Sequence, residues 1–134
     1  MEVHCTVKKS IAEVYAILID LKKYGQFHPI ITDVKKIEAN RYNIYETVRM
    51  GLIPFRFVYP ATVFTNESTD QIGYDAVVMN LVKIKMDFTL CPINAQTTKV
   101  VEKISIKSIL PVHWYLSRLI KKCHIELFDR VSKS

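Results

Sequence analysis

The hydrophobic pattern is clearest in the last long segment of the chain, from Pro111 to about Val131. Apolar residues recur there at steps of three and four, which at about 100° per residue places them along one side of a helix. This apolar stripe consists of Val112, Leu116, Leu119, Ile120, Cys123, Leu127 and Val131. A helix of about 20 residues spans ~30 Å, so the stripe requires a large apolar surface to cover it.

Most of the remaining chain alternates between apolar and polar residues, which is typical of half-buried β-strands. Strands are predicted over 3–7, 31–38, 42–50, 53–65 with a bend at Pro60, 72–78, 84–90 and 97–108. The predicted connections are short, at Asn40, at 51–52, over 66–71 and over 92–95. Short turns join antiparallel strands, whereas parallel strands need long crossovers. The pattern therefore predicts a sheet of seven antiparallel strands.

Two short helices are predicted between the first strand and the second. Ser10 and Glu13 have the spacing of a capping box, in which Ser10 accepts from the third helical N–H and Glu13 reaches back to the Ser10 N–H. Residues 11–18 then place apolar side chains on one helix face. Asp20 is a candidate cap for a second piece, which Gly25 should end. The long terminal helix is the only element large enough to cover the sheet.

This order of elements resembles the START-like superfamily, also called the Bet v 1-like, SRPBCC, polyketide cyclase or helix-grip fold. The stretch 14–29, VYAILIDLKKYGQFHP, looks like the family's opening "V-Y/F-x-x-L-x-D" helix, followed by a tyrosine and an aromatic-x-Pro run. The stretch 90–100, LCPINAQTTKV, resembles the family's last hairpin, "L-x-P-x-x-x-G-T-x-V". Gln96 or Thr97 stands where that hairpin usually has a glycine.

The resemblance implies an α+β helix-grip fold, in which residues 1–134 form a single START-like domain and a curled seven-stranded sheet surrounds the C-terminal helix. It also implies a cavity between sheet and helix that binds or transports a small hydrophobic ligand, such as a lipid, polyketide or quinone. Two alternatives stay open, since fold does not decide function. One is a polyketide cyclase or dehydratase-like enzyme that uses acids in the cavity, and the other is an interaction module that uses the basic surface.

The candidate ligand-binding residues are apolar or aromatic side chains of the predicted inner faces, together with a few groups that can carry protons. They are Phe27, His28, Glu46, Phe55, Phe57, Tyr74, Met86, Phe88, Glu102, Leu116, Leu119 and Cys123. Glu46 and Glu102 interrupt apolar strand faces, so each either faces the cavity or is solvated at a strand end. The rings either line a cavity or form plain core. Cys123 is interpreted as a small core residue rather than a nucleophile.

Composition narrows the functional classes. The net charge of +6 comes from lysines scattered in pairs, which favours a solvated surface over a specific nucleic-acid site. Three cysteines without a C-x-x-C pair argue against a disulfide framework and structural zinc. The four histidines lack metal-ligand spacing, and His124 flanks the apolar stripe. With only three glycines and no G-x-S-x-G, nucleotide chemistry and serine hydrolysis are excluded. We expect no metal and no cofactor.

The surface features predict a cytoplasmic protein whose partner is a small hydrophobic molecule. The N-terminus lacks the apolar core of a signal peptide, and no apolar run reaches the length of a transmembrane segment. Trp114 and Ile125 are predicted on the outer side of the terminal helix, as a patch for a dimer or membrane contact. The expected state is a monomer or weak dimer.

The apolar stripe of the terminal helix is expected to be core. Truncating Leu116 or Leu119 to alanine should therefore lower the free energy of unfolding by about 2–5 kcal/mol.

Overall fold

The computed structural model describes residues 1–66 and 70–134, and of Met50 it describes the backbone only. Its elements are β1 (Glu2–Val7), α1 (Ile11–Leu18), α2 (Leu21–Phe27), β2 (Ile31–Glu38), β3 (Arg41–Met50), β4 (Ile53–Thr65), β5 (Gln71–Val78), β6 (Val82–Asn94), β7 (Thr97–Ser108) and α3 (His113–Lys133). Neighbouring strands are antiparallel, in the order β1-β7-β6-β5-β4-β3-β2. The curled sheet, the two short helices after β1 and the long final helix confirm the predicted helix-grip fold.

Side-chain caps begin both short helices. The Ser10 hydroxyl accepts from the Glu13 N–H at 3.2 Å, as the capping box predicts. The return bond differs, because the Glu13 carboxylate accepts from the Ser10 hydroxyl at 3.1 Å instead of from the backbone N–H. The Asp20 carboxylate accepts from the Lys22 N–H at 3.0 Å and so begins α2.

Two prolines lie inside strands. Pro60, where a bend of the strand was predicted, pairs with Asn43 of β3, and β4 continues through it. Pro92 pairs with Thr98 of β7, so β6 runs on to Asn94 and the turn falls at 95–96. At each proline only one neighbouring strand is paired, and the missing N–H breaks no second ladder. The turn predicted over 66–71 lies partly outside the described residues.

The first part of β4 stands apart from β5. Residues 53–60 pair with β3 alone, whereas the ladder between β4 and β5 begins only at Ala61, which pairs with Ala76. The β3–β4 hairpin therefore extends beyond the rest of the sheet on one side. This leaves the sheet open between the hairpin and the end of β5.

The terminal helix α3 begins at His113, two residues after the predicted start at Pro111. Its C-terminal half is buried through Cys123, His124, Leu127, Phe128 and Val131. In the N-terminal half, the stripe residues Leu116, Leu119 and Ile120 are only partly buried. Among the described residues, no helix is long and apolar enough to cross a bilayer.

The two halves of the stripe should respond differently to truncation. Leu127 is fully buried in the main core, so Leu127→Ala should lower the free energy of unfolding by about 3–5 kcal/mol. Leu119 borders empty space, and we expect Leu119→Ala to cost only about 1 kcal/mol, less than the sequence suggested. Urea unfolding of both variants measures the difference. Equal losses would mean that the N-terminal half of α3 packs as tightly as the C-terminal half.

Candidate functional site

A cavity of about 340 Å³ lies between the sheet and α3. Most of its wall is apolar and comes from β3 to β6 on one side and α3 on the other. The apolar lining includes Ile44, Val48, Phe57, Ala61, Ala76, Val78, Val82, Ile84, Met86, Leu116, Leu119 and Ile120. This volume lies within the range of about 300–1,000 Å³ that is usual for small-molecule pockets.

The cavity also has polar groups, which come from separate elements. Tyr24 and His28 are supplied by α2 and its C-terminal end, Glu46 by β3, Tyr59 by β4 and His124 by α3. The Tyr24, His28 and His124 rings lie within about 6 Å of one another, centroid to centroid. We call these five residues the polar cluster.

Buried hydrogen bonds join two members of the polar cluster, Tyr24 and His124, to Glu102. His124 Nδ1 lies 2.6 Å from Glu102 Oε1, and both side chains are almost fully buried. On the other side of the ring, His124 Nε2 lies 2.9 Å from the Tyr24 hydroxyl. A carboxylate only accepts, so Nδ1 donates to Glu102. Nε2 and the Tyr24 hydroxyl share the second hydrogen bond, with the direction set by the protonation of the ring. Burial is the main cause that raises the pKa of Tyr24 well above its usual value, which keeps this hydroxyl protonated.

His28 is a neutral hydrogen-bond donor at the cavity wall. Its Nδ1 accepts from the Ile30 N–H at 3.3 Å, which places the ring proton on Nε2. Burial, followed by the neighbouring His124 and Arg130, lowers the pKa of His28 to about 3. The ring is therefore uncharged at neutral pH.

Glu46 lies in the apolar wall with Tyr59 as its partner. The Tyr59 hydroxyl donates to Glu46 Oε1. Burial raises the pKa of Glu46, while the Tyr59 bond and His124 act in the opposite direction. Burial first, and Glu46 second, raise the pKa of Cys123 to about 11, so this cavity residue is a thiol rather than a thiolate.

Eight of the candidate residues line the cavity, namely His28, Glu46, Phe57, Tyr74, Met86, Leu116, Leu119 and Cys123. The Tyr74 hydroxyl is already occupied, since it donates to the Leu18 carbonyl at 2.5 Å. The cyclase-like alternative requires two proton-carrying groups on facing walls, and Glu46 on β3 and His124 on α3 stand in that relation.

The structure places the other four candidates outside the cavity wall. Phe27 packs at the margin of the main core, and Phe88 is fully buried within that core. Phe55 is 42% exposed, because it lies on the part of β4 that only β3 pairs. Glu102 does face α3, but it lies behind His124 and does not reach the cavity.

The sequence prediction missed Tyr24, Tyr59 and His124. One signal for His124 was present, since an acid at position 102 on an apolar strand face requires a partner when it is buried. His124 is adjacent to the centre of the helix stripe at Cys123 and was the nearest basic candidate on that surface. Tyr24 and Tyr59 fit equally well as core residues, and their hydroxyl partners become visible only in the assembled fold.

Sequence comparisons find no matching protein-family profile and no similar curated protein. Solved structures share the fold at low identity. A conserved protein from Geobacillus kaustophilus is 14% identical with a TM-score of 0.81, over 98% of this chain and 91% of that one. A START superfamily protein from Mycobacterium smegmatis is 14% identical with a TM-score of 0.75, over 99% and 97%. The di-domain ARO/CYC protein StfQ of the steffimycin biosynthetic pathway is 14% identical with a TM-score of 0.77, over 99% of this chain and 44% of that one.

Proposed function

We propose that this chain, which has the START-like (SRPBCC) fold, binds one small and mostly apolar molecule between its sheet and α3. The observation that carries the proposal is the cavity of about 340 Å³, whose apolar walls include a cluster of polar groups. Protein interiors are close-packed, with few voids larger than a water molecule. A void of this size loses packing contacts that a bound apolar molecule would restore.

The walls also favour an apolar ligand over bound water. An ordered water needs two to four polar partners, and apolar cavities tend to stay dry. Along most of the lining the neighbouring side chains are aliphatic or aromatic. The binding energy should therefore come mainly from apolar surface, at about 25 cal/mol per Å² buried.

The polar cluster restricts the ligand further. His28 offers an N–H, and the Tyr24 hydroxyl oxygen keeps a lone pair that can accept besides its bond to His124. None of the described residues that line the cavity is Lys or Arg. A carboxylate or phosphate would lie near Glu46 without a lysine or arginine to compensate it. A neutral polar group, such as a hydroxyl or a carbonyl, matches the donor and acceptor that the wall provides.

Titration with Nile red, a neutral environment-sensitive dye, tests the proposal. We expect saturable binding at about one dye per chain, and a loss of about tenfold in affinity for Phe57→Ala, which removes a ring from the wall. Phe55→Ala is the matched control, because it removes the same ring two residues away on β4, outside the cavity. If the affinity for Nile red is unchanged by Phe57→Ala but falls steeply as salt is added, the basic surface rather than the cavity would be the binding site.

A further inference from the structure

Three connections of the chain lie at the same end of the sheet. Because β3 to β7 are successive antiparallel strands, the β3–β4 turn, the β5–β6 turn and the β7–α3 connection all fall at that end. Large apolar side chains project from it into solvent, and the exposed fraction is 95% for Leu52, 80% for Ile109, 64% for Met79 and 63% for Trp114. We call these four residues the apolar rim.

The cavity is continuous with the apolar rim. Met79 belongs both to the rim and to the cavity wall. Leu110 is 44% exposed and also lines the cavity, next in sequence to Ile109 of the rim. Val112 and Tyr115, from the start of α3, complete the wall on this side. An apolar path therefore leads from the interior to this end of the molecule.

Among the described residues, the charged side chains nearest this end are cationic. They are Arg49 and Arg56 beside the β3–β4 turn, Lys83 just after the β5–β6 turn and Lys107 at the end of β7. Lys83 and Lys107 are exposed and directly opposite each other on β6 and β7. Like charges in this position destabilise a sheet, so folding alone does not account for the pair.

The backbone conformation of Met79 adds a further sign that this end makes an apolar contact. Its φ is 56°, in the left-handed region, and its side chain is exposed. An L-residue there is disfavoured by roughly 1–2 kcal/mol relative to glycine, and asparagine tolerates the position better. Neither turn preference nor solubility explains an exposed methionine in this conformation, whereas an apolar contact does, with the cavity ligand on one side and with a partner at the rim on the other.

We propose that this end of the molecule docks on a bilayer that contains anionic lipids, with the apolar rim inserted between headgroups and the cavity mouth facing the membrane. Such a surface supplies apolar interior and negative charge together, which matches the rim and its surrounding cations. A second copy of this chain would bring like charge against like charge, which disfavours a symmetric dimer here. Docking is separate from ligand binding and can hold or fail without it.

Flotation with phosphatidylcholine vesicles, with and without phosphatidylglycerol, tests the docking. Trp114 is the only tryptophan, so its emission should shift to the blue when anionic vesicles are added. Leu52→Ser/Ile109→Ser should lower binding at least tenfold while leaving Nile red affinity unchanged, since neither residue lines the cavity. Ile93→Ser is the matched control, being 57% exposed at the opposite end of the sheet.

Two further variants separate the contributions of charge and strain. Lys83→Gln/Lys107→Gln should weaken binding by about fivefold per lysine, and Lys36→Gln/Lys99→Gln, from elsewhere on the sheet, should leave it unchanged. Met79→Asn should keep or raise the unfolding midpoint and yet weaken vesicle binding, which a purely structural role would not produce. The docking proposal is overturned if anionic vesicles do not bind the wild type. It is also overturned if the rim variants bind vesicles as well as the wild type does. The same holds if the wild type is a dimer in vesicle-free solution and the rim variants are monomers, since the rim would then bind a second copy of the chain.

Discussion

Replacing His124 with leucine is expected to lower the free energy of unfolding by about 3–5 kcal/mol, because it strands a buried carboxylate. Glu102 is fully buried, and its Oε2 is the buried side-chain atom that has no hydrogen-bond partner among the described residues. Oε1 depends on His124 at 2.6 Å. Without the imidazole, neither oxygen of Glu102 would have a partner, and the Tyr24 hydroxyl would lose one as well.

The double variant His124→Leu/Glu102→Leu should recover most of that loss, since replacing both members of a buried pair by apolar residues is often neutral. Urea unfolding of the four proteins in the cycle gives the coupling directly. The exposed pair of Arg130 and Glu126 is the control, and Glu126→Gln should cost at most about 1 kcal/mol. A double variant as unstable as the single one would show that packing, rather than the stranded carboxylate, causes the loss.

Filling the cavity is expected to abolish ligand binding without unfolding the protein. Ala76 lines the cavity and is paired with Ala61 across the β4–β5 ladder, so two small side chains lie opposite each other at this point of the wall. The ring of Ala76→Phe would occupy the space that we assign to the ligand. We expect Nile red affinity to fall at least a hundredfold, with an unfolding midpoint equal to or above the wild-type value, as cavity-filling variants often show. Ala12→Phe, on the exposed side of α1, adds the same ring outside the cavity. It should change neither the Nile red affinity nor the unfolding midpoint.

Periodicity was sufficient to predict the elements, because it records which side of each helix or strand is apolar, and the helix-grip fold followed from the resemblance of their order to the START-like superfamily. It does not record whether two apolar faces meet. Leu119 and Leu127 both belong to the apolar stripe of α3, yet one lines a cavity and the other is core. In the same way, Phe55 and Phe57 alternate correctly on β4, and only the late start of the β4–β5 ladder separates an exposed ring from a cavity ring.

The polar cluster was harder to predict, since its members are joined by tertiary contacts. Glu102 and His124 are 22 residues apart, and their bond depends on how α3 docks on β7. Tyr24 and His124 are separated by 100 residues. A sequence pattern indicates that a buried acid needs a partner, but the choice of partner is made by the packing of helix against sheet.

The central claim, that the cavity holds one small apolar molecule, is tested most directly by native mass spectrometry of freshly purified wild type and Ala76→Phe. The account predicts that the wild type carries one small molecule per chain, or takes up one Nile red when purified empty. It also predicts that Ala76→Phe, folded to the same extent, shows only the mass of the bare chain under both conditions. Equal loading of the two proteins, or no loading of either, would contradict it.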